Sequence, residues 1–270
     1  MNLIRKLAAA SVLTFAASAS QAAVVDNFNY TLDLQWLGAS FSSGSVNSTT
    51  TFTPTELSWG YIYGDYKNGY YNQYPDYARS ALVISDSTVK GAISTDGSTV
   101  NANMFTHYNS VINGTYKTLE KAQLAVTVNL GVNGVGTVQN LTTIFDVYFI
   151  ETPNTGGTCA WGPCDNDIFA ILSVDPKLND LTRSFTYNGQ EYSFSYFETT
   201  ANLNPLSSTA CAAAGVNGAC YGFTTLEGNN TTVKFALSVT AVPEPETYAM
   251  MLAGLGLIGA VVRRRRTPRS

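Results

Sequence analysis

Alternation of apolar and polar residues runs through the middle of the chain and constrains its fold more than any other feature. Such alternation is typical of half-buried β-strands. Asn-Gly and Asp-Gly pairs, which accept the positive φ angles of tight hairpins, occur between the alternating segments. The alternating segments are 124–130, 145–149, 192–196 and 233–239, and the turn pairs begin at Asn68, Asp96, Asn113, Asn133, Asn188 and Asn217. The pattern predicts an all-β, antiparallel domain.

The clearest single hairpin in this pattern joins Phe185–Tyr187 to Gln190–Tyr196 through Asn188 and Gly189. Between the two ends of the chain, no long segment repeats with the 3.6-residue period of an amphipathic helix. We therefore expect residues 23–241 to form one antiparallel β-sandwich of jelly-roll type. A division into two domains near residues 113–117 is the alternative.

The first 22 residues have the composition of a secretory signal peptide. Arg5 and Lys6 precede an apolar run over residues 7–17, and Ser20-Gln21-Ala22 forms a small-residue cleavage site before Ala23. We expect export through the Sec translocon, cleavage by signal peptidase and a mature chain that begins at Ala23. The alternative, a short buried helix, explains neither the charges nor the cleavage residues.

The other end of the chain combines three elements in a fixed order. Pro243-Glu244-Pro245 favours extended backbone, residues 248–262 are fifteen uncharged residues, and four arginines follow at 263–266. A helix of that length measures about 22 Å, which is shorter than a hydrocarbon core of about 30 Å. The arginines favour the cytoplasmic side. The pattern predicts a transmembrane sorting helix that spans only marginally, with an ordinary membrane anchor as the alternative.

Residues 242–266 resemble the PEP-CTERM sorting signal that exosortases recognise. The resemblance rests on Pro243, Glu244 and Pro245, on the apolar segment, and on Arg263, Arg264, Arg265 and Arg266. It implies transient insertion into the inner membrane of a Gram-negative bacterium and processing by an exosortase-type enzyme. Delivery to the cell surface or the surroundings would follow, often in a bacterium that makes exopolysaccharide.

Charge excludes one class of partner. Of nineteen acidic and fifteen basic residues, two acids and seven bases lie in the two terminal segments, which leaves seventeen acids against eight bases in the domain. Nucleic-acid binding needs a basic surface. We therefore expect no nucleic acid as partner and a domain suited to the extracellular medium.

Four cysteines in an exported chain predict disulfides. Three pairings are possible, and we favour the two that close short loops, Cys159 with Cys164 and Cys211 with Cys220, because neither loop has strand patterning. A zinc site is the alternative, although the spacings of these cysteines match the usual zinc motifs poorly.

The single histidine, His107, lies in a short motif with Thr106 and Asn109. A lone histidine is most often a hydrogen-bonded structural residue, and the chain contains no Gly-x-Ser-x-Gly elbow that would support a catalytic triad. With the segments 57–60 and 149–169, the motif resembles the THxN family of PEP-CTERM proteins. The resemblance assigns no catalytic role to His107.

Two further groups of residues are candidate sites. Seven tyrosines between residues 61 and 77 offer rings for stacking on sugars, with Tyr70, Tyr71 and Tyr74 foremost, or they pack as ordinary surface. Glu151, Asp165, Asp167 and Asp175 supply oxygen ligands for Ca²⁺, with Asp165 and Asp167 as the weak candidate pair. No other metal or cofactor is expected.

The sequence thus predicts a non-enzymatic exported protein of the cell surface or extracellular matrix, with a contribution to biofilm or exopolysaccharide matrix. A carbohydrate-binding module that uses the tyrosines of residues 61–77 is the alternative. A secreted glycoside hydrolase is weaker, because seventeen acids make a chance pair of carboxylates almost unavoidable.

Overall fold

The computed structural model describes residues 23–67, 76–152, 154, 156–172, 180–243, 252–256 and 258. Several predicted features lie outside these residues: the signal peptide, Tyr70, Tyr71, Tyr74, Asp175, Glu244, Pro245 and the arginines 263–266.

Strands dominate the described part of the chain, as the alternation predicts. In chain order they are β1 (Asn27–Phe41), β2 (Ser48–Phe52), β3 (Glu56–Tyr61), β4 (Arg79–Ser85), β5 (Thr88–Ser94), β6 (Val100–Tyr108), β7 (Leu119–Val132), β8 (Gly136–Ile150), β9 (Thr158–Cys159), β10 (Gly162–Pro163), β11 (Asn166–Leu172), β12 (Asp180–Tyr187), β13 (Gln190–Glu198), β14 (Asn204–Pro205), β15 (Cys220–Leu226) and β16 (Asn230–Ala241). One short helix, α1 (Ser208–Ala213), lies between β14 and β15.

The long strands form two seven-stranded sheets. The first has the order β14-β15-β11-β8-β7-β1-β5 and the second has the order β12-β13-β16-β6-β4-β3-β2, while β9 and β10 form a separate ribbon. Every strand pair is antiparallel. The all-β, antiparallel prediction is therefore confirmed.

The alternating segments lie within β7, β8, β13 and β16. The predicted hairpin is also present, because Tyr187 pairs with Gln190 across a two-residue turn. In that turn Asn188 has a φ of 51° and Gly189 a φ of 84°, as a type I′ hairpin requires. The turn chemistry thus fixes which side chains of β12 and β13 face the core.

One continuous apolar core joins the two sheets. Phe105 of β6 contacts Trp36 of β1 and Phe169 of β11, with ring centroids 6.2 and 5.4 Å apart. At the other end of the core, Phe28 of β1 packs edge-on against Tyr192 of β13 at 5.1 Å. The two sheets therefore pack against each other over this shared core, an arrangement that we call the sandwich.

Both favoured disulfides are present, Cys159–Cys164 and Cys211–Cys220. The chain has no free cysteine, so no thiolate remains for the zinc alternative. The second disulfide fastens α1 to β15, and α1 packs its buried Ala210 and Cys211 against Ile168 and Ala170 of β11. This helix was not predicted from the sequence, because it is six residues long and too short to show a helical period.

The sandwich has two ends that differ in what they carry. At one end Ala241, the last residue of β16, pairs with Tyr192, whose hydroxyl accepts a hydrogen bond from Val25 N at 2.8 Å. At the other end Asn230, the first residue of β16, pairs with Tyr108. We call these the tail end and the distal end. They are about 36 Å apart along the strand, at about 3.3 Å per residue.

Beyond β16, the described residues of the predicted sorting helix, 252–256 and 258, are helical. Among the described residues, no helix is long and apolar enough to cross a membrane.

Candidate functional site

The THxN motif lies at the distal end, where β6 leaves the second sheet. Strand alternation turns His107 toward the same side as Phe105, into the interior, and the ring of His107 is fully buried. The ring lies between Trp59, with centroids 6.1 Å apart, and Phe149, with centroids 5.1 Å apart. On the opposite face, the Thr106 hydroxyl lies 2.9 Å from that of Thr232. The signature therefore combines an interior histidine with a structural threonine.

Asn109 continues the motif and joins three elements. Its backbone N–H donates to the carbonyl of Asn229 at 3.0 Å, and its side-chain Nδ2 donates to the carbonyl of Thr225 at 2.8 Å. The Asn109 side chain also lies against Glu227, in the turn between β15 and β16. The signature asparagine thus holds this turn against the end of β6.

Three carboxylates meet beside His107. Glu151 follows β8, Asp167 lies in β11, and Glu227 lies in the turn after β15, and one oxygen atom of each lies within 4.8 Å of the others. His107 Nε2 is 3.9 Å from Asp167 Oδ2. We call Glu151, Asp167 and Glu227 the carboxylate cluster. Glu227 is distant in sequence from Glu151 and Asp167, and the three meet only because β8, β11 and β15 are neighbours in the first sheet.

Hydrogen bonds hold two members of the cluster from one side. Trp59 Nε1 donates to Glu151 Oε2 at 2.7 Å. The backbone N–H and the hydroxyl of Thr152 donate to Asp167 Oδ1 at 2.9 and 3.2 Å. The remaining oxygens, Glu151 Oε1, Asp167 Oδ2 and both oxygens of Glu227, are shielded from solvent and accept no hydrogen bond. Glu151 and Asp167 therefore each keep one oxygen that has no hydrogen-bond partner and is shielded from solvent.

The electrostatics of the cluster follow from this burial. Burial raises the pKa of Glu151 well above its ordinary value, and the charges of Asp167 and Glu227 add to the shift. Burial also raises the pKa of Asp167, although the donors of Thr152 oppose the shift. The pKa of Glu227 rises to about 9, mainly through burial and then through the charges of Asp167 and Asp165. The site disfavours three bare negative charges.

His107 does not supply the missing positive charge. Burial lowers its pKa to about 3, so the ring is neutral at neutral pH. Neither ring nitrogen has a hydrogen-bond partner. Within the described residues, the contact of His107 with Asp167 is the only ion-pair contact of the cluster. The ring is buried, but the hydrogen bonds expected of a structural histidine are absent from both ring nitrogens.

Sequence analysis found part of this site. It selected Glu151 and Asp167 as possible calcium ligands and Asn109 as a signature residue, and the structure brings these three residues together. Asp165 lies outside the group of mutually close oxygens. Glu227 was missed, because a glutamate in the turn Leu226-Glu227-Gly228 looks like any exposed turn acid. Only the pairing of β15 with β11 reveals its position.

The tyrosine-rich stretch also lies at the distal end, as far as the structure describes it. The ring of Tyr61 contacts those of Tyr63, Tyr77 and Tyr116, at 5.8, 5.3 and 6.1 Å. Tyr63 is 83% exposed and Tyr77 is 51% exposed, whereas Tyr66 is buried. Tyr66 therefore packs against the domain, whereas Tyr63 and Tyr77 present their rings to solvent.

Comparison with known proteins identifies the tail. Residues 241–266 match the family described as PEP-CTERM protein-sorting motif. No curated protein matches the chain. The match begins at Ala241, the last residue of β16, so the motif follows the folded domain directly. The chain therefore carries a PEP-CTERM sorting signal, which implies export, anchoring in the membrane before processing, and sorting to the cell surface by exosortase.

Proposed function

We propose that this protein is a non-enzymatic component of the cell surface or extracellular matrix of a Gram-negative bacterium, where it contributes to biofilm or exopolysaccharide matrix. A signal peptide over residues 1–22 starts its export, and its domain is a jelly-roll member of the THxN family. The observation that carries the proposal is the sorting motif at 241–266, attached to a folded β-sandwich.

The junction between domain and tail supports processing at the motif. Val242 is still fastened to the sandwich, because its N–H donates to Glu191 O at 2.8 Å and its carbonyl accepts from Gln190 Nε2 at 2.7 Å. Only residues 243–247 separate Val242 from the apolar segment, a reach of at most about 18 Å. Cleavage within this short link would leave β16 and its sheet intact.

The distal end supports a non-enzymatic role over a glycoside hydrolase. Catalytic carboxylates of glycosidases flank a sugar-binding cleft. An open groove of about 450 Å³ does pass beside Glu151. However, Glu151 Oε2 is bonded to Trp59 and its Oε1 is shielded from solvent, so the carboxylate faces the cluster and not the groove.

A carbohydrate-binding module is the second candidate function, and the exposed rings of Tyr63 and Tyr77 favour it. Two aromatic faces held by contact with Tyr61 provide a platform for sugar stacking. The platform lies at the distal end, away from the tail, where it would face the surroundings before cleavage.

Deletion of residues 243–266 tests the sorting proposal. Cell fractionation of the native host should show the parent protein at the surface and the truncated protein retained in the periplasm. A variant with Tyr63→Ala and Tyr77→Ala is the matched control, and it should reach the surface like the parent. Unchanged processing and location after the deletion would contradict the sorting proposal.

Binding to the host's exopolysaccharide tests the module. The parent should bind, and Tyr63→Ala with Tyr77→Ala should weaken binding about thirtyfold, because each ring contributes about 1 kcal/mol. Tyr70→Ala, Tyr71→Ala and Tyr74→Ala form a second variant, and Val135→Ala, at an exposed position near the tail end, is the control. Absence of binding by the parent removes this candidate.

A further inference from the structure

The carboxylate cluster has the geometry of a site for one hard cation. Its three carboxylates offer oxygens that lie within 4.8 Å of one another. Two oxygens that bind the same Ca²⁺ at 2.3–2.6 Å are at most about 5 Å apart. A single ion therefore fits between all three residues with little rearrangement.

The partners that the cluster lacks point to a ligand independently of the acidic residues. His107 and Asn109 are both fully buried, and His107 Nδ1, His107 Nε2 and Asn109 Oδ1 have no hydrogen-bond partner. Unpartnered buried polar atoms are rare in native proteins, since each costs about 1–3 kcal/mol. Here His107 Nε2 lies 3.9 Å from the unpartnered Asp167 Oδ2, and the Asn109 side chain lies against Glu227, whose two oxygens are also unpartnered. Such a concentration is expected where a bound ion completes the coordination.

The uncompensated negative charge of the carboxylate cluster also favours a bound cation. Asp165 adds a further negative charge beside Glu227, and within the described residues the one side chain in ion-pair contact with the cluster is His107, whose ring is neutral. Two solutions remain: protons on the carboxylates, or a cation among them. A divalent cation compensates more of the charge and also occupies the free oxygens of Glu151 and Asp167.

We propose that Glu151, Asp167 and Glu227 bind one Ca²⁺ ion at the distal end of the sandwich, with Asn109 Oδ1 as a further ligand. The donors are oxygens, which favours Ca²⁺ over zinc, and Mg²⁺ would need several water ligands that this enclosed site does not favour. His107 is a positioning residue, whose Nε2 lies 3.9 Å from Asp167 Oδ2.

The ion would fasten the two sheets together. Asn109 follows β6 of the second sheet, whereas the carboxylates lie on or beside β8, β11 and β15 of the first sheet. Trp59, which donates to Glu151, belongs to β3, the strand that leads into the tyrosine-rich stretch. Bound Ca²⁺ therefore stabilises the distal end as a unit. Sites of extracellular modules bind Ca²⁺ with dissociation constants of about 0.1–1 mM, which suits an exported protein.

Calcium titration of the purified exported protein tests the proposal. After treatment with EGTA and desalting, equilibrium dialysis should find one Ca²⁺ per chain, and saturating CaCl₂ should raise Tm by about 5 °C. MgCl₂ at the same concentration should give a smaller shift. Absence of both binding and a Tm shift in the parent overturns the proposal, whatever the variants do.

Variants distinguish a calcium site from a merely structural cluster. Glu227→Gln should weaken Ca²⁺ binding at least tenfold, yet it should keep or raise Tm in EGTA, because a neutral amide is buried without the proton that the Glu227 carboxylate must bind. Glu120→Gln, at an exposed carboxylate, is the matched control and should respond to Ca²⁺ like the parent. An undiminished calcium response of Glu227→Gln would contradict the assignment.

His107 separates calcium from a transition metal. His107→Gln should keep stoichiometric Ca²⁺ binding with a weaker affinity, because glutamine still offers an N–H donor near Asp167. Zn²⁺ or Mn²⁺ that stabilises the parent more than Ca²⁺, with the effect lost in His107→Gln, would overturn the calcium assignment and make the histidine a metal ligand.

Discussion

The two ends of the sandwich differ in how they are built, and the difference indicates what each is for. At the tail end, Ala241 pairs with Tyr192 and the Tyr192 hydroxyl accepts a hydrogen bond from Val25 N, and the linear sorting motif follows directly. At the distal end, side chains from distant segments converge on one buried cluster. A sorting motif is recognised as an extended peptide, whereas the carboxylate cluster requires the folded sheets. A change that abolishes sorting should therefore leave the cluster intact, and a change that disrupts the cluster should leave sorting intact.

The largest expected effect is a change of cellular location when the tail is fused to another protein. Residues 241–266 fused to an unrelated exported protein should move that protein from the periplasm to the cell surface of the native host, because the motif alone carries the address. The same fusion without residues 243–245 is the control. Retention of the complete fusion in the periplasm would show that the address also needs the sandwich.

Removal of the disulfide Cys211–Cys220, which fastens α1 to β15, should cost more stability than each of the changes at the distal end that follow. The disulfide closes a loop of nine residues, and loss of its constraint on the unfolded chain costs about 2–3 kcal/mol. Urea unfolding of Cys211→Ala with Cys220→Ala measures the loss. Surface location should not change, because the tail is untouched; loss of sorting in a folded variant would contradict the independence of the ends.

Trp59→Phe tests whether the hydrogen bond from Trp59 to Glu151 stabilises the folded protein. The change removes the indole donor to Glu151 and leaves a carboxylate oxygen unpaired, which should cost about 1–2 kcal/mol beyond the packing loss. Trp36→Phe is the matched control, because Trp36 is equally buried but its Nε1 has no partner. Urea unfolding compares the two variants. Equal losses would show that the bond to Glu151 adds nothing to stability.

The smallest expected effect concerns pH. Without the metal, the free energy of unfolding should depend on pH. In EGTA, Glu227 binds a proton in the folded protein up to a pKa of about 9, whereas its ordinary value is 4.5. The stabilising proton is fully present below pH 4.5 and is lost as pH rises toward 9, so stability should fall in this window. Above pH 6.5 His107 is neutral in both states and contributes nothing.

Because Glu227 is only half-buried as a residue, the decline should be about 1 kcal/mol. Thermal unfolding in EGTA at pH 7 and pH 9 measures it, and Glu227→Gln should reduce it. Saturating Ca²⁺ should replace the protons and flatten the curve. A metal-free protein that gains stability between pH 7 and 9 would contradict the placement of these carboxylates.

The strands were predictable because their signal is local. Val233 to Val239 alternate within one strand, and Asn188-Gly189 encodes its own turn, so neither needs knowledge of the rest of the chain. The favoured disulfides were predictable for the same reason, since each closes a short loop. Helix α1 was not, because six residues show no period and Ser207 as its N-cap is as common in loops.

The cluster was only half predictable, because its members depend on strand order. Glu151 and Asp167 are close in sequence and suggested a site, but Asp165 looked equally suitable. Glu227 joins them only because β15 pairs with β11 and Asn109 fixes the following turn. Alternation predicts that strands exist, and it carries no information on which strands are neighbours.

The intact mass of the protein recovered from the surface of its native host tests the central claim most directly. We expect a chain that begins at Ala23 and ends within residues 243–247, with both disulfides and the carboxylate cluster retained. A surface protein whose mass still includes residues 248–266 would contradict processing at the motif.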